Sequence, residues 1–133
     1  MFATAAVVLA VATAAGCGTG KTHAGSQDHA QSYRPDGSAS VAPGQTLSIR
    51  MGDMYFRPNT IQARAGGTIT LRLQNASPIL HNFTLSVAGI NRNVPPKNSV
   101  VVSFPAPNSG VYYFYCDVPG HAAAGMVGRL TVS

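Results

Sequence analysis

The chain has 133 residues, a length that predicts a single domain. Nine Lys and Arg residues against four acidic residues give a formal net charge of +5, and charged residues make up only 10% of the composition. The basic residues are dispersed rather than clustered, so nucleic-acid binding has little support and no nucleic-acid partner is expected. The two cysteines, Cys17 and Cys116, lie in segments with different predicted roles, so no disulfide is expected.

Residues 1–16 are almost entirely small and apolar. Such a run is shorter than the roughly 20 apolar residues that a membrane-spanning helix needs, and it is typical of the hydrophobic region of an export signal. It ends in Ala14-Ala15-Gly16-Cys17, which resembles the bacterial lipobox, where small residues precede a cysteine that becomes lipidated. We therefore interpret residues 1–16 as a signal peptide and Cys17 as the lipid anchor. The alternative is an ordinary cleaved signal with an incidental cysteine, and no Lys or Arg precedes the run as the n-region of a signal should have.

Residues 18–44 are rich in Gly, Ser, Thr, Gln, Ala and Pro and contain almost no large apolar side chains. A segment of this composition cannot bury enough surface to offset the entropy lost on ordering. Residues 17–44 are therefore predicted to form the lipidated N-terminus and a flexible linker. Two histidines, His23 and His29, lie in this segment, and we expect them to be solvated rather than bound to a metal.

An alternation of apolar and polar residues begins at Gln45 and is typical of half-buried strands. Turn signals interrupt it, and residues 88–98 are predicted to be a loop broken by Pro95-Pro96. No segment of comparable length has a helical period. Residues 45–133 are therefore predicted to form an all-β sandwich of seven to eight strands. The predicted strands cover residues 45–51, 53–58, 60–63, 68–74, 81–87, 100–104, 110–116 and 125–132.

One segment near the C-terminus carries a thiol, an imidazole and a thioether, at Cys116, His121 and Met126. A strand precedes it, Pro119-Gly120 marks a turn within it and another strand follows, so one strand–loop–strand unit holds all three donors. Soft sulfur with imidazole suits copper, and a trigonal site with a long axial Met needs a second imidazole. His81 offers one upstream. The competing interpretation is an inert buried cysteine, a loop histidine and a core methionine, each of which is common alone.

Three short runs resemble the C-terminal motif of the cupredoxins, the small blue copper proteins that include plastocyanin, azurin and auracyanin. They are Phe114-Tyr115-Cys116, Val118-Pro119-Gly120-His121 and Ala124-Gly125-Met126. His81-Asn82 is similar to the family's first ligand histidine and the asparagine that follows it. The resemblance covers roughly residues 45–133 and implies a Greek-key β-sandwich. It also implies one type 1 copper per chain, bound by His81, Cys116, His121 and an axial Met126, with Asn82 bracing the two ligand loops.

The resemblance further implies a protein that shuttles single electrons between redox partners outside the cytoplasmic membrane, as a monomer held at the membrane by its N-terminal lipid. A redox protein is expected to dock near His121, because Pro78-Ile79-Leu80 and Ala122-Ala123-Ala124 flank the two histidines without charge. The alternative is an extracytoplasmic protein that delivers or buffers copper. An enzyme is not expected, since copper oxidases and reductases need further histidine ligands and a two-copper centre needs a second cysteine in the loop.

Overall fold

The computed structural model describes residues 29–133, so the predicted signal peptide, Cys17 and His23 lie outside the described residues. In this part of the chain, ten strands form two β-sheets, and no helix is long and apolar enough to cross a membrane. The strands are β1 (Ser38–Val41), β2 (Thr46–Gly52), β3 (Tyr55–Arg57), β4 (Thr60–Ala63), β5 (Thr68–Asn75), β6 (His81–Leu85), β7 (Ile90–Val94), β8 (Ser99–Pro105), β9 (Gly110–Tyr115) and β10 (Val127–Val132). The six-stranded sheet has the order β1-β4-β10-β9-β6-β7, and the four-stranded sheet has the order β3-β2-β5-β8.

The alternation of the sequence decides which side chains meet between the two sheets. In β5, the side chains of Ile69, Leu71 and Leu73 are buried, while the residues between them are more exposed. β5 pairs in parallel with β2 and antiparallel with β8, and both neighbours contribute apolar side chains to the same core. Burying one such side chain stabilises the fold by about 1.5–3 kcal/mol. The predicted all-β sandwich is confirmed.

Three buried phenylalanines connect the sheets beneath the end of β9. Phe56 of the four-stranded sheet meets Phe83 and Phe114 of the other sheet edge-on, at ring-centroid separations of 6.0 and 5.2 Å. Phe83 and Phe114 stack at 5.0 Å, and such aromatic pairs contribute beyond the area they bury. Residues two apart in a strand share a face, so the position of Phe114 directs Cys116 toward the same interior.

The predicted number of seven to eight strands is wrong, because two further strands exist. β7 lies in the predicted loop 88–98, and β1 lies in the predicted linker 17–44, which is therefore not a linker over its last part. These two strands are the two edges of the six-stranded sheet. An edge strand buries little, and here Ser38–Val41 and Ile90–Val94 each contain one buried residue. Neither strand has the large apolar side chains at alternate positions that identify a half-buried strand.

The segment before β1 is also fixed to the sandwich. The Tyr33 side chain is buried, and its hydroxyl is hydrogen-bonded to the hydroxyl of Thr60 on β4. The buried side chain of Asn59 donates to the carbonyl of Arg34 at 2.7 Å and accepts from the backbone NH of Asp36 at 2.6 Å. Residues 33–36 therefore belong to the folded domain, although their composition predicts a flexible chain.

Candidate metal centre

The loop between β9 and β10 is a compact series of turns. The backbone NH of His121 donates to the carbonyl of Val118 at 3.0 Å, and the NH of Met126 donates to the carbonyl of His121 at 3.0 Å. The NH of Cys116 closes the loop by donating to the carbonyl of Met126 at 3.1 Å. Gly120 adopts a φ of 86°, which glycine accepts without strain. The three donor residues of this loop are thus held together by short-range hydrogen bonds.

The fourth donor residue comes from a distant part of the chain. His81 is the first residue of β6, which lies beside β9 in the six-stranded sheet. Its Nδ1 atom is 3.2 Å from Nδ1 of His121, and Nδ1 of His121 is 3.4 Å from Sγ of Cys116. The donor atoms of these three residues lie within 4.8 Å of one another, and all three side chains are buried. The predicted ligands His81, Cys116 and His121 are therefore brought together.

The sulfur of Cys116 is held in a dry environment. Cys116 is fully buried, and its Sγ accepts a hydrogen bond from the backbone NH of Asn82 at 3.2 Å. Burial raises the pKa of the Cys116 thiol, while backbone hydrogen bonds from Val118 and Asn82 act in the opposite direction. A metal ligand must be the thiolate, so metal binding at this sulfur is coupled to the release of a proton.

The two histidines differ in their surroundings. His81 has no exposed surface, and its Nε2 atom lies 3.3 Å from Oδ1 of Asp53, in the turn between β2 and β3. Burial lowers the pKa of His81, and the hydrogen bond with Asp53 partly offsets that effect. His121 is 8% exposed and follows the exposed residues Pro119 and Gly120. His81 is the enclosed imidazole of the pair and His121 is the one that reaches the surface.

Met126 is placed beside the three other candidate ligands by its backbone. Its NH and carbonyl groups are hydrogen-bonded to His121 and Cys116, and its side chain is fully buried. These contacts agree with an axial position for the thioether, which stays a prediction. The hydrophobic core includes both Met126 and Cys116, so the sulfur atoms face protein rather than water.

Asn82 is predicted to brace the two ligand loops, and its side chain is instead directed toward β7. Its Nδ2 group donates to Oδ1 of Asn91 at 2.8 Å and to Oδ1 of Asn93 at 3.0 Å. Asn91 in turn donates to Oδ2 of Asp117 at 2.6 Å, next to Cys116. The Asn82 side chain therefore connects the ligand-bearing segments through β7, a strand that the sequence analysis missed, and its backbone NH connects them directly through Sγ of Cys116.

His29 also departs from expectation, since it was predicted to be solvated in a linker. Its ring lies 3.8 Å from the ring of Tyr115, centroid to centroid, at an angle of 33°. Tyr115 is half-buried and directly precedes Cys116. His29 is thus placed against the tyrosine rather than among the candidate metal ligands.

The donor set fits copper better than the other common protein metals. Two imidazoles, one thiolate and a weak thioether are the ligands of trigonal copper sites, whereas structural zinc sites add a fourth strong donor. Among the described residues, the group of His81, Cys116 and His121 is the one that could hold a metal ion. Together with Met126, these residues are the predicted ligand set of a type 1 copper site.

Comparisons with known proteins agree with this assignment. The model of the cupredoxin-like domain family matches residues 5–132. The copper-resistant cuproprotein CopI of Rubrivivax gelatinosus is 30% identical in a match that covers 89% of this chain and 85% of that protein. A rusticyanin of Acidithiobacillus ferrooxidans is 54% identical in a match that covers 71% of this chain and 73% of that protein. The solved structure of auracyanin A, a blue copper protein of Chloroflexus aurantiacus, is similar with a TM-score of 0.58 and 26% identity, and the match covers 71% of this chain and 100% of that one.

Proposed function

Because this chain belongs to the cupredoxin-like family, we propose that it is a copper protein that carries single electrons between redox partners outside the cytoplasmic membrane. The observation that carries the proposal is the convergence of His81, Cys116 and His121, whose donor atoms lie within 4.8 Å in a buried position. Copper bound there supplies the one-electron couple between Cu(I) and Cu(II). A site of this composition lies between the preferences of the two oxidation states, so little has to move when the electron moves.

The protein's own contribution is to hold the ligands still. His81 is fixed by the sheet, and Cys116, His121 and Met126 are fixed by the turns of one loop. The NH of Asn82 stabilises negative charge on the sulfur, since a hydrogen bond to a thiolate favours its charged form. Rigid ligands lower the reorganisation that accompanies electron transfer, and this arrangement favours a carrier over a protein that surrenders its metal.

The surface near His121 is the proposed docking site for a redox protein. Ile79 and Leu80 are each 40% exposed, and they directly precede His81 in the chain. Pro119 and Gly120, on the ligand loop, are also exposed. No residue from 78 to 80 or from 118 to 126 is charged. Two uncharged segments beside the candidate ligand histidines suit brief contact between redox proteins.

Electron self-exchange between two copies of the protein tests the carrier function and the docking face together. Exchange broadening of NMR signals in mixtures of the reduced and oxidised protein should give a fast second-order rate. Leu80→Asp should slow this rate without changing the visible absorption band. Val101→Asp is the matched control, because Val101 is 49% exposed on β8 of the other sheet. Undetectably slow exchange in the wild type would refute the carrier function, and equal slowing by both substitutions would refute the docking face.

Copper delivery or buffering is the second candidate, and its support is the likeness to CopI, named for copper resistance. A delivery protein must release its metal, whereas a carrier must keep it through many redox cycles. To distinguish the two functions, the Cu(I) form is mixed with an excess of a chelator that is colourless when free and coloured when it binds Cu(I). We expect release to be slower than electron exchange by orders of magnitude. Rapid release with slow electron exchange would favour delivery.

The proposal includes attachment to the membrane through a lipid on Cys17. It rests on the run Ala14-Ala15-Gly16-Cys17 and on the polar composition that follows it. Cys17→Ala should move the protein from the membrane fraction to the soluble fraction of cells that express it. Blue colour should be unchanged in the variant, because Cys116 and not Cys17 is the proposed metal ligand. Equal partitioning of variant and wild type would exclude the anchor.

A further inference from the structure

Asp53 contacts one of the candidate ligand histidines, and no feature of the sequence draws attention to it. It lies in the turn between β2 and β3, and its side chain is 54% exposed. Its Oδ1 atom is 3.3 Å from Nε2 of His81, whose side chain has no exposed surface. One face of an otherwise solvated carboxylate thus touches a fully buried imidazole.

The orientation of His81 assigns different roles to its two ring nitrogens. Nδ1 faces the other donors, at 3.2 Å from Nδ1 of His121, and is the nitrogen available to the metal. Nε2 faces Asp53 and must carry the proton if it is to donate a hydrogen bond to the carboxylate. Outer carboxylates of this kind fix the tautomer of a ligand histidine, orient its ring and raise its basicity.

Asp53 is itself held in place by the segment that leads to His81. The hydroxyl of Ser77 donates to Oδ1 of Asp53, the same atom that contacts the imidazole. The backbone NH of Ser77 donates to Oδ1 of Asn75 at 2.9 Å, and Nδ2 of Asn75 donates to the carbonyl of Val94 at 2.9 Å. Asn75 and Ser77 are both buried. A continuous chain of hydrogen bonds therefore positions the carboxylate from the interior, although its outer side meets water.

We propose that Asp53 is a positioning residue for the metal centre, which holds His81 in its Nε2-protonated tautomer and increases the electron donation of Nδ1. A more basic imidazole and a nearby negative charge both favour Cu(II) over Cu(I). Asp53 therefore lowers the reduction potential of the centre. The proposal rests on the copper site described above, and its tests distinguish a failure of that site from a failure of this role.

Asp53→Asn is the informative variant, because the amide oxygen can still accept from His81 and Ser77 while the charge is lost. We expect the affinity for Cu(II) relative to Cu(I) to fall about tenfold, the lower end of the range for outer partners of ligand histidines, since the carboxylate is partly solvated. Voltammetry should therefore show a higher potential. Asp117→Asn is the matched control, since Asp117 is adjacent to Cys116 but bonds to Asn91 rather than to a ligand imidazole. A shift in Asp53→Asn no larger than the shift in Asp117→Asn would overturn the proposal.

The tautomer provides a readout that does not depend on copper. Ring ¹⁵N chemical shifts of the copper-free protein at mildly alkaline pH should place the His81 proton on Nε2, and Asp53→Ala should increase the share of the Nδ1-protonated form. Identical ring shifts in wild type and variant would overturn the positioning role. If the wild type binds no copper or shows no redox couple, the proposed function fails, and the ring shifts still decide the role of Asp53. Asp53→Glu should recover part of the wild-type potential, because it restores the charge.

Discussion

The two regions that supply the candidate ligands are built in different ways. The loop at residues 116–126 carries three of them, and hydrogen bonds between near neighbours in the sequence shape it. His81, in contrast, is held by contacts with remote parts of the chain, since Asp53 is 28 positions away and His121 is 40 positions away. The loop can form its turns locally, whereas the position of His81 exists only after both sheets have assembled. Three of the four candidate ligands therefore form a sequence motif, and the fourth is placed by the fold.

The two regions also differ in how far their histidines are exposed to solvent. His81 has no exposed surface and contacts a carboxylate, while His121 is 8% exposed and follows the uncharged residues 118–120. The fold-dependent region encloses one imidazole, and the loop region carries the other three candidate ligands, including the histidine with some exposure to solvent. Four groups of substitutions test this comparison, from the largest expected effect to the smallest.

Removal of the Cys116 sulfur should have the largest effect. Cys116→Ser replaces the thiolate, which is the source of the intense charge-transfer colour of a Cu(II)–thiolate site. We expect the strong visible absorption to disappear, and copper titration followed by absorption spectroscopy measures it. Cys17→Ala, which changes the other cysteine of the chain, should leave the band intact. A full band in Cys116→Ser would place the metal elsewhere.

The two histidines should respond differently to replacement by glycine. Each substitution removes an imidazole and should abolish the blue site. Added imidazole should restore the colour in His121→Gly, because this residue keeps some exposure and follows exposed loop residues, and should fail to restore it in His81→Gly, because that side chain is fully enclosed. Absorption spectra with increasing imidazole concentration test the difference. Equal rescue of both variants would mean that the positions of His81 and His121 do not differ in their accessibility to imidazole.

A smaller effect on stability is expected where the loop joins the core. Gly128 of β10 lies opposite Phe114 of β9, and a Cβ atom at this position would collide with the phenylalanine ring. Gly128→Ala should therefore destabilise the copper-free domain by about 1–3 kcal/mol, the usual cost of overpacking, as measured by urea unfolding. The same substitution in a Phe114→Leu background should cost less, because the ring is gone. An equal cost in both backgrounds would assign the effect to backbone conformation instead.

Substitution of Met126, the predicted axial ligand, should produce the mildest change. We expect the reduction potential to shift while the copper site is retained. Met126→Leu removes a weak donor and leaves an apolar side chain, which favours Cu(I), whereas Met126→Gln supplies a harder oxygen donor, which favours Cu(II). Voltammetry should give potentials in the order Leu above Met above Gln. Coincident potentials would make Met126 a core methionine and nothing more.

The sequence predicted the parts of the molecule that depend on near neighbours. The spacing of Cys116, His121 and Met126 revealed the ligand loop, and the alternation in β5 revealed a half-buried strand. β1 and β7 were missed because they are edge strands that bury little, and their residues were assigned to a linker and a loop. Asp53 was missed for another reason. Its role depends on a contact across the fold, and a single exposed acid in a turn has no pattern that distinguishes it.

The central claim is that one copper ion lies among His81, Cys116, His121 and Met126, and anomalous diffraction at the copper absorption edge tests it most directly. Crystals of the copper-loaded protein should show a single anomalous peak, bounded by Nδ1 of both histidines and by Sγ of Cys116, with Nε2 of His81 directed toward Asp53. A peak on the Nε2 side of His81, or at His23 or His29 near the N-terminus, would contradict the account.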